Sequence, residues 1–166
     1  MALVPCPDCR AEFPDGPGPV HPYLGASPGC WKAYGEVLAK EYSDIRYGRV
    51  HRLTVDAYAA QHPGREERRA SQSVTLHLVA LHLTLEAHAS HEAARAALAA
   101  LATPAAKRRG FAWLRPPSSL GTLTVEHVRA AVDAADHCRR VEQWAACVWA
   151  AWAPHHPRIR GLAGAL

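Results

Sequence analysis

The sequence has no asparagine, only three lysines among its nineteen basic residues, and no apolar run near the roughly eighteen residues that a membrane helix requires. Residues 1–13 hold two cysteines, two prolines and three charged residues, where a signal peptide would need an apolar stretch. From these absences we expect a cytoplasmic protein with no membrane partner.

The net charge does not indicate a particular class of binding partner, because it is only +4 in 166 residues. Such a small excess does not require nucleic acid as a partner, so we regard nucleic-acid binding as unfavoured. The composition, 49% hydrophobic and 20% charged, suffices for a core and is not that of a disordered chain. The length predicts a single domain over residues 1–166.

The five cysteines favour metal binding over disulfides, because their number is odd and no secretion signal is recognisable. Cys6 and Cys9 form a C-x2-C knuckle, a spacing that lets two thiolates face one ion. Cys30 lies twenty-one residues further on, with His21 between. The sequence therefore predicts a zinc site made of Cys6, Cys9, His21 and Cys30, which would be structural because all four ligands come from the protein.

Alternatives remain for this segment. Residues 10–29 contain five prolines and four glycines, so without a metal the segment could be a flexible arm with no fixed structure. Cys6 and Cys9 could instead be a redox pair. The fourth zinc ligand could also be Cys138, Cys147 or a distant histidine in place of His21.

From Trp31 onward the hydrophobic pattern is helical, and it is broken where proline, glycine and serine cluster. We predict an all-α fold with an irregular knuckle segment (residues 1–30), a bundle of about six helices (31–153) and a tail (154–166). Ser90, Thr124 and Asp136 are the expected helix caps of the second half. The helices are predicted at 31–41, 45–61, 72–87, 91–102, 124–134 and 136–153. Residues 107–124 lack a period and are expected to form a lid or a pocket wall.

The eleven histidines call for a physical explanation. His51 and His62 are eleven residues apart, about 20° apart around a helix, with Tyr58 between them. Asp56 points to another side, where its spacing from Arg52 permits an ion pair.

Each histidine taken alone is most simply a structural residue. Together they define a candidate acid/base site composed of His51, Asp56, Tyr58 and His62, facing His77 or His82 and closed by His155 and His156.

Several sharper motifs are absent. The segment from His91 to Arg95 begins like the zinc-protease H-E-x-x-H but ends in arginine. There is no Walker loop, no G-x-G-x-x-G and no G-x-S-x-G. The sequence therefore argues against nucleotide-binding enzymes with a phosphate loop and against hydrolases with a nucleophile elbow.

Five segments together resemble an uncharacterised family of small bacterial proteins, a domain of unknown function. They are residues 6–9, 21–31, 51–64, 72–74 and 149–156. The resemblance implies no activity, but it singles out for testing His21, His51, Asp56, Tyr58, Gln61, His62, His155 and His156. The sequence departs from the family pattern at Arg10, where glycine commonly follows the C-P-x-C knuckle.

Two functions from different classes remain open. The first is a metal-dependent or histidine-based acid/base enzyme acting on a small molecule. The alternative is a zinc-stapled module that binds protein or nucleic acid, with the basic run 107–109 and the nearby Phe111 and Trp113 as contacts. A homo-oligomer or a structural partner subunit with the Trp-rich last helix as interface is a third possibility.

Overall fold

The computed structural model describes residues 2–165. Over that range the chain is mostly helical, with eight α-helices and a single two-stranded hairpin, so the predicted all-α class is confirmed apart from the hairpin. The elements are β1 Leu3–Pro5, β2 Glu12–Pro14, α1 Pro28–Ser43, α2 Gly48–Gln61, α3 Arg68–Leu85, α4 His91–Leu101, α5 Pro104–Arg109, α6 Val125–Arg129, α7 Ala134–Ala151 and α8 His156–Gly164.

Side-chain caps explain where several helices begin. The hydroxyl of Ser27 accepts a hydrogen bond from the backbone N–H of Cys30 (3.3 Å) and so starts α1. Ser90 caps α4 as predicted. The predicted cap of α7 is wrong by three residues, because Asp133 accepts from the N–H of Asp136 (2.8 Å) and the helix starts one turn earlier.

Two helices lie where the sequence predicted none. α5 occupies the start of the segment expected to be irregular, and at six residues it is too short to display a hydrophobic period. α8 occupies the predicted tail and buries Ile159. The last predicted helix ends at residue 153, just before Pro154, because proline normally stops a helix. A proline in the first turn also fits a helix start, because that position needs no N–H donor.

The core lies between α2, α3 and α7. Trp144 and Trp152 of the α7 region are fully buried, and their indole N–H groups donate to the Gln61 side chain (2.9 Å) and to the Ala60 carbonyl (3.0 Å). Trp149 is 6% exposed. The Trp-rich helix is thus part of the chain's own core and does not offer these rings as an exposed interface.

None of the helices within residues 2–165 combines the length and the apolar character needed to cross a membrane.

The hairpin brings the amino-terminal segment onto α1. Its strands pair antiparallel, with Val4 opposite Phe13, and Phe13 is buried against the first turn of α1. A β-carbon at Gly29 would lie 2.5 Å from the Phe13 β-carbon, so glycine there permits the close approach. The hairpin turn, residues 6–11, therefore faces the beginning of α1.

Candidate metal centre

The hairpin turn positions two thiols. The backbone N–H of Cys6 donates to the Ala11 carbonyl (2.8 Å), and the N–H of Arg10 donates back to the Cys6 carbonyl (3.1 Å). Arg10 closes the turn with φ 66°, in the left-handed region that favours glycine. Cys6 and Cys9 are thereby held on the same side of the turn, and both are buried.

Two helix ends supply the remaining donors. Cys30 lies in the first turn of α1, and His62 is the residue that ends α2, just before Pro63. The ring Nδ1–H of His62 donates to the Tyr58 carbonyl (2.7 Å). In the neutral ring that hydrogen bond places the lone pair on Nε2, which lies 3.3 Å from the Cys30 Sγ and can bind a metal ion.

These four side chains form a compact buried group. One donor atom from each of Cys6, Cys9, Cys30 and His62 lies within 4.8 Å of all the others. The Sγ atoms of Cys9 and Cys30 are 3.9 Å apart, much further than the roughly 2.05 Å of a disulfide. The cysteines are free thiols in the structure.

The charges in this group are mutually dependent. The pKa of the Cys6 thiol lies far below its ordinary value because the Cys30 and Cys9 thiols donate to its sulfur. The pKa of the Cys30 thiol lies far above its ordinary value because of its contacts with Cys6 and Cys9. Burial disfavours the charged form of His62, but its hydrogen bonds with Cys6 and Cys9 outweigh burial and raise its pKa to about 9. A cation bound among these side chains would favour the thiolate form of all three cysteines, because a nearby positive charge stabilises a negative one.

The spacing matches a tetrahedral ion. Bonds of about 2.3 Å to sulfur and about 2.0 Å to nitrogen at tetrahedral angles place two sulfurs about 3.8 Å apart and a sulfur and a nitrogen about 3.5 Å apart. The observed separations are 3.9 Å and 3.3 Å. Cys6, Cys9, Cys30 and His62 could therefore hold a metal ion.

A second layer of contacts locks the segments around the site. The half-buried carboxylate of Asp8, within the knuckle, accepts from the backbone N–H of Gly64 (2.8 Å), directly after His62 and Pro63. Burial raises the pKa of Asp8, although the Gly64 N–H opposes that effect. Gly64 has φ 71°, and a β-carbon there would lie 2.3 Å from the Tyr23 carbonyl oxygen. This packing joins the knuckle, the 21–25 loop and the end of α2.

His21, which we predicted as the fourth ligand, is not part of this group; His62 lies there instead. The His21 Nδ1 accepts a hydrogen bond from the Tyr23 N–H (3.4 Å), and its ring packs against Tyr23 and Trp31. Burial lowers the pKa of His21. The distant-histidine alternative is the one that the geometry favours.

The four predicted acid/base residues do not share one site. Tyr58 and His62 belong to the thiol group, where the Tyr58 hydroxyl lies 3.5 Å from the Cys30 Sγ. Burial, followed by the charge of Cys30, raises the pKa of Tyr58 well above its ordinary range. His51 instead donates through Nδ1 to the buried carboxylate of Glu41 (2.8 Å).

Asp56 has a different partner again. Its Oδ2 accepts from the Arg52 Nε (3.1 Å), which is the ion pair predicted from their spacing, and its Oδ1 accepts from the His77 Nδ1 (2.7 Å). The Asp56 carboxylate is 1% exposed, whereas the His77 ring is 21% exposed and lies on the wall of a cleft of about 420 Å³. Tyr23 and Arg69 line the same cleft.

The remaining candidate histidines have structural contacts elsewhere. His155 bonds the Arg115 carbonyl (2.8 Å), while His156 stacks on Trp149 and bonds its carbonyl (2.9 Å). The His82 Nδ1 bonds the Glu86 carboxylate (2.9 Å). None of the three lies in the thiol group found within residues 2–165.

Sequence reasoning missed a buried polar network around Glu41. Its carboxylate accepts from Thr54 (2.5 Å) and from the Nε2 of His137 (2.9 Å), in addition to His51. Glu41 lies on the buried face of α1, where the other buried residues are mostly apolar. His137 comes from α7, which is distant in sequence. No local pattern could have joined them.

Fold and site together define the class of this protein: a helical domain with a buried three-cysteine, one-histidine group at the junction of an amino-terminal hairpin and two helix ends. The chain belongs to the family of unknown function DUF5946, whose sequence profile matches residues 4–153. The resemblance seen in the sequence is thereby confirmed. A search of curated proteins and a search of solved structures each found no match to this chain.

Proposed function

We propose that the protein binds one zinc ion through Cys6, Cys9, Cys30 and His62, and that this ion has a structural role. The observation that carries the proposal is the group of four buried donors within 4.8 Å of one another. Three thiolates and one imidazole are a ligand set that favours zinc over harder cations. Four protein ligands in a buried place leave no coordination position for a substrate, as in structural zinc sites.

The ion would join three segments that are distant in sequence: the hairpin turn, the start of α1 and the end of α2. Residues 15–20, between the hairpin and the first of these helices, have no regular structure. Zinc binding in small domains supplies about 10–16 kcal/mol at neutral pH. The metal would therefore hold the amino-terminal segment on the bundle.

The test is metal content together with thermal stability. We expect one zinc per chain in the purified protein and its loss in Cys6→Ser and Cys30→Ser, with a melting temperature lower by about 10 °C or more. Cys147→Ser is the matched control, because that half-buried thiol accepts from the Thr122 N–H (3.3 Å) and lies outside the group. Full zinc content in Cys6→Ser would refute the proposal.

A second candidate function is acid/base chemistry on a polar small molecule, centred on His77 and Asp56. It is favoured by the 2.7 Å hydrogen bond from a half-exposed imidazole to a buried carboxylate. Such a carboxylate orients the ring through Nδ1 and leaves Nε2 available as a base. Arg69, on the same cleft wall as His77, suits an anionic group on the substrate.

Hydrolysis of 4-nitrophenyl acetate is a probe for this chemistry. In the expected reaction His77 Nε2 takes a proton from water, the water oxygen attacks the ester carbonyl, nitrophenolate leaves, and the proton passes to solvent. We expect His77→Gln to remove the activity and Asp56→Asn to lower it about 100-fold or more.

His51→Gln is the informative comparison, because His51 is also a partly exposed histidine bonded to a buried carboxylate, Glu41. Activity that survives in His51→Gln and is lost in His77→Gln supports the cleft. Loss of activity in His51→Gln alone would make His51, the residue predicted from the sequence, the catalytic base. A parent chain without activity would contradict catalysis on this ester.

A further inference from the structure

A groove separate from the metal centre runs between α2, α3 and α4. It has a volume of about 630 Å³, within the range of roughly 300–1,000 Å³ typical of small-molecule sites. Its α2 wall comes from positions 49, 50, 52, 53 and 56, and its α4 wall from positions 91, 94, 95 and 98. Spacings of three and four keep each set on one helix face, so two opposed faces line the groove.

The base of the groove is apolar. Val50 and Leu53 of α2 are buried beneath it, and Leu85 and Leu98 are half-buried at its sides. Leu85 and Leu98 keep part of their apolar surface open to the groove. A hydrocarbon group laid over them would remove that apolar surface from water, which favours binding.

Three arginines and two carboxylates line the groove. Arg49 pairs with Glu142 (2.5 Å), and Arg52 pairs with Asp56 (3.1 Å), so both carboxylates that line the groove already have a cationic partner. Arg95, on the α4 wall, forms no ion pair with any residue in the range 2–165. It is exposed and free to receive an anion from the groove.

We propose that this groove binds a small amphipathic organic anion, with its carboxylate against Arg95 and its hydrocarbon part over Leu53, Leu85 and Leu98. The apolar base would bind the hydrocarbon part of the ligand, and the unpaired guanidinium of Arg95 would bind its carboxylate. A guanidinium binds a carboxylate through two parallel N–H donors, which adds orientation to charge attraction. This site lies apart from the four-donor metal group and shares Asp56 with the His77 pair.

The direct test is calorimetric titration of the purified full chain with three probes. Decanoate carries both features of the proposed ligand, acetate has only the headgroup, and decyltrimethylammonium has the same tail with the opposite charge. We expect decanoate to bind, acetate not to bind, and the cation to bind at least about tenfold more weakly, because a hydrogen bond to a charged group is worth about 1.5–3 kcal/mol.

Variants then locate the binding. Arg95→Gln is expected to weaken decanoate binding about tenfold, and Ala94→Phe to abolish it by filling the groove. Arg108→Gln, on an exposed position of α5 outside the groove, is the matched control and should bind as the parent chain does. Arg95 is exposed and Ala94 half-exposed, and an unchanged melting temperature will verify that each variant is folded.

Three results would overturn the proposal. Equal binding of decanoate and the cationic probe would show that charge does not select the ligand. Unchanged affinity in Arg95→Gln would place any binding elsewhere. A dimer in solution that Ala94→Phe converts to monomer would show that a second copy of the chain covers the groove.

Discussion

The imidazole Nε2 of His62 lies 3.3 Å from the Sγ of Cys30, although thirty-two residues separate them. One donor ends α2 and the other starts α1, so their contact depends on how two helices pack. Cys6 and Cys9 complete the group from the hairpin turn. The site is therefore a junction of three segments, and the predictions below test the parts of that junction.

The first prediction separates the two histidines that could be the fourth ligand. His62→Ala should weaken zinc binding at least tenfold and lower the melting temperature, because it removes a buried donor and leaves three thiolates. His21→Ala should retain the metal, since His21 packs against Tyr23 and Trp31 and lies outside the four-donor group. Competition with a chromophoric chelator measures both affinities, and the reverse order would contradict the assignment.

The second prediction concerns Gly64, where the chain leaves α2. Gly64→Ala should destabilise the fold by about 2 kcal/mol or more, because φ is 71° and the new β-carbon would meet the Tyr23 carbonyl oxygen at 2.3 Å. Gly35→Ala, inside α1 with open space around it, should instead stabilise by about 0.5–1 kcal/mol. Urea unfolding measures both, and equal effects would contradict the packing described.

The third prediction concerns the knuckle turn. Arg10 has φ 66°, so Arg10→Gly should stabilise the zinc-loaded protein by about 1 kcal/mol through relief of backbone strain. Arg10→Ala is the control, because it removes the side chain but keeps the β-carbon, and it should give no gain. A stabilising Arg10→Ala would show that the side chain, not the backbone, is responsible.

The fourth prediction is a pH dependence at Glu86, which anchors α8 and α7 to the end of α3. Hydrogen bonds from Arg160 lower the pKa of Glu86 from an ordinary 4.5 to about 2. Burial opposes this shift, and hydrogen bonds from Trp149 and His82 add to it. A depressed carboxyl pKa stabilises the fold above pH 4.5, and that stabilisation is lost as the pH falls toward 2.

Glu86→Gln should therefore cost about 1 kcal/mol at pH 7, a modest amount because the pairs are partly solvated. The difference between the two chains should shrink as the pH approaches 3, where the glutamate of the unfolded chain is protonated. Any loss of metal in acid affects both chains alike, so the comparison at each pH isolates Glu86. A difference that stays constant with pH would contradict the shifted pKa.

Local spacing explains which parts of the site the sequence could predict. Cys6 and Cys9 fit one knuckle, Cys30 ends the adjoining loop, and Asp56 pairs with Arg52 one helical turn away. His62 and the partner of Asp56, His77, depend on helix packing instead. A single sequence shows which residues share a helix face, but not which helices pack against each other. The sequence analysis therefore named His62 and His77 without showing that His62 joins the cysteines or that His77 pairs with Asp56.

The helices follow the same logic. α4 was predicted closely, because Ser90 caps it and Pro104 lies beyond its end. α8 was missed because Pro157, at its first turn, is a signal for both an end and a beginning. Burial of Ile159 against the core decides between them, and that contact is formed only in the folded chain.

The central claim is that three sulfurs and one nitrogen bind a single zinc ion. X-ray absorption at the zinc edge on the purified protein tests it most directly. We expect three sulfur neighbours at about 2.3 Å and one nitrogen at about 2.0 Å, with the outer-shell scattering of a histidine ring. Two sulfurs with two or more light atoms, or zinc bound only by oxygen and nitrogen, would contradict the account.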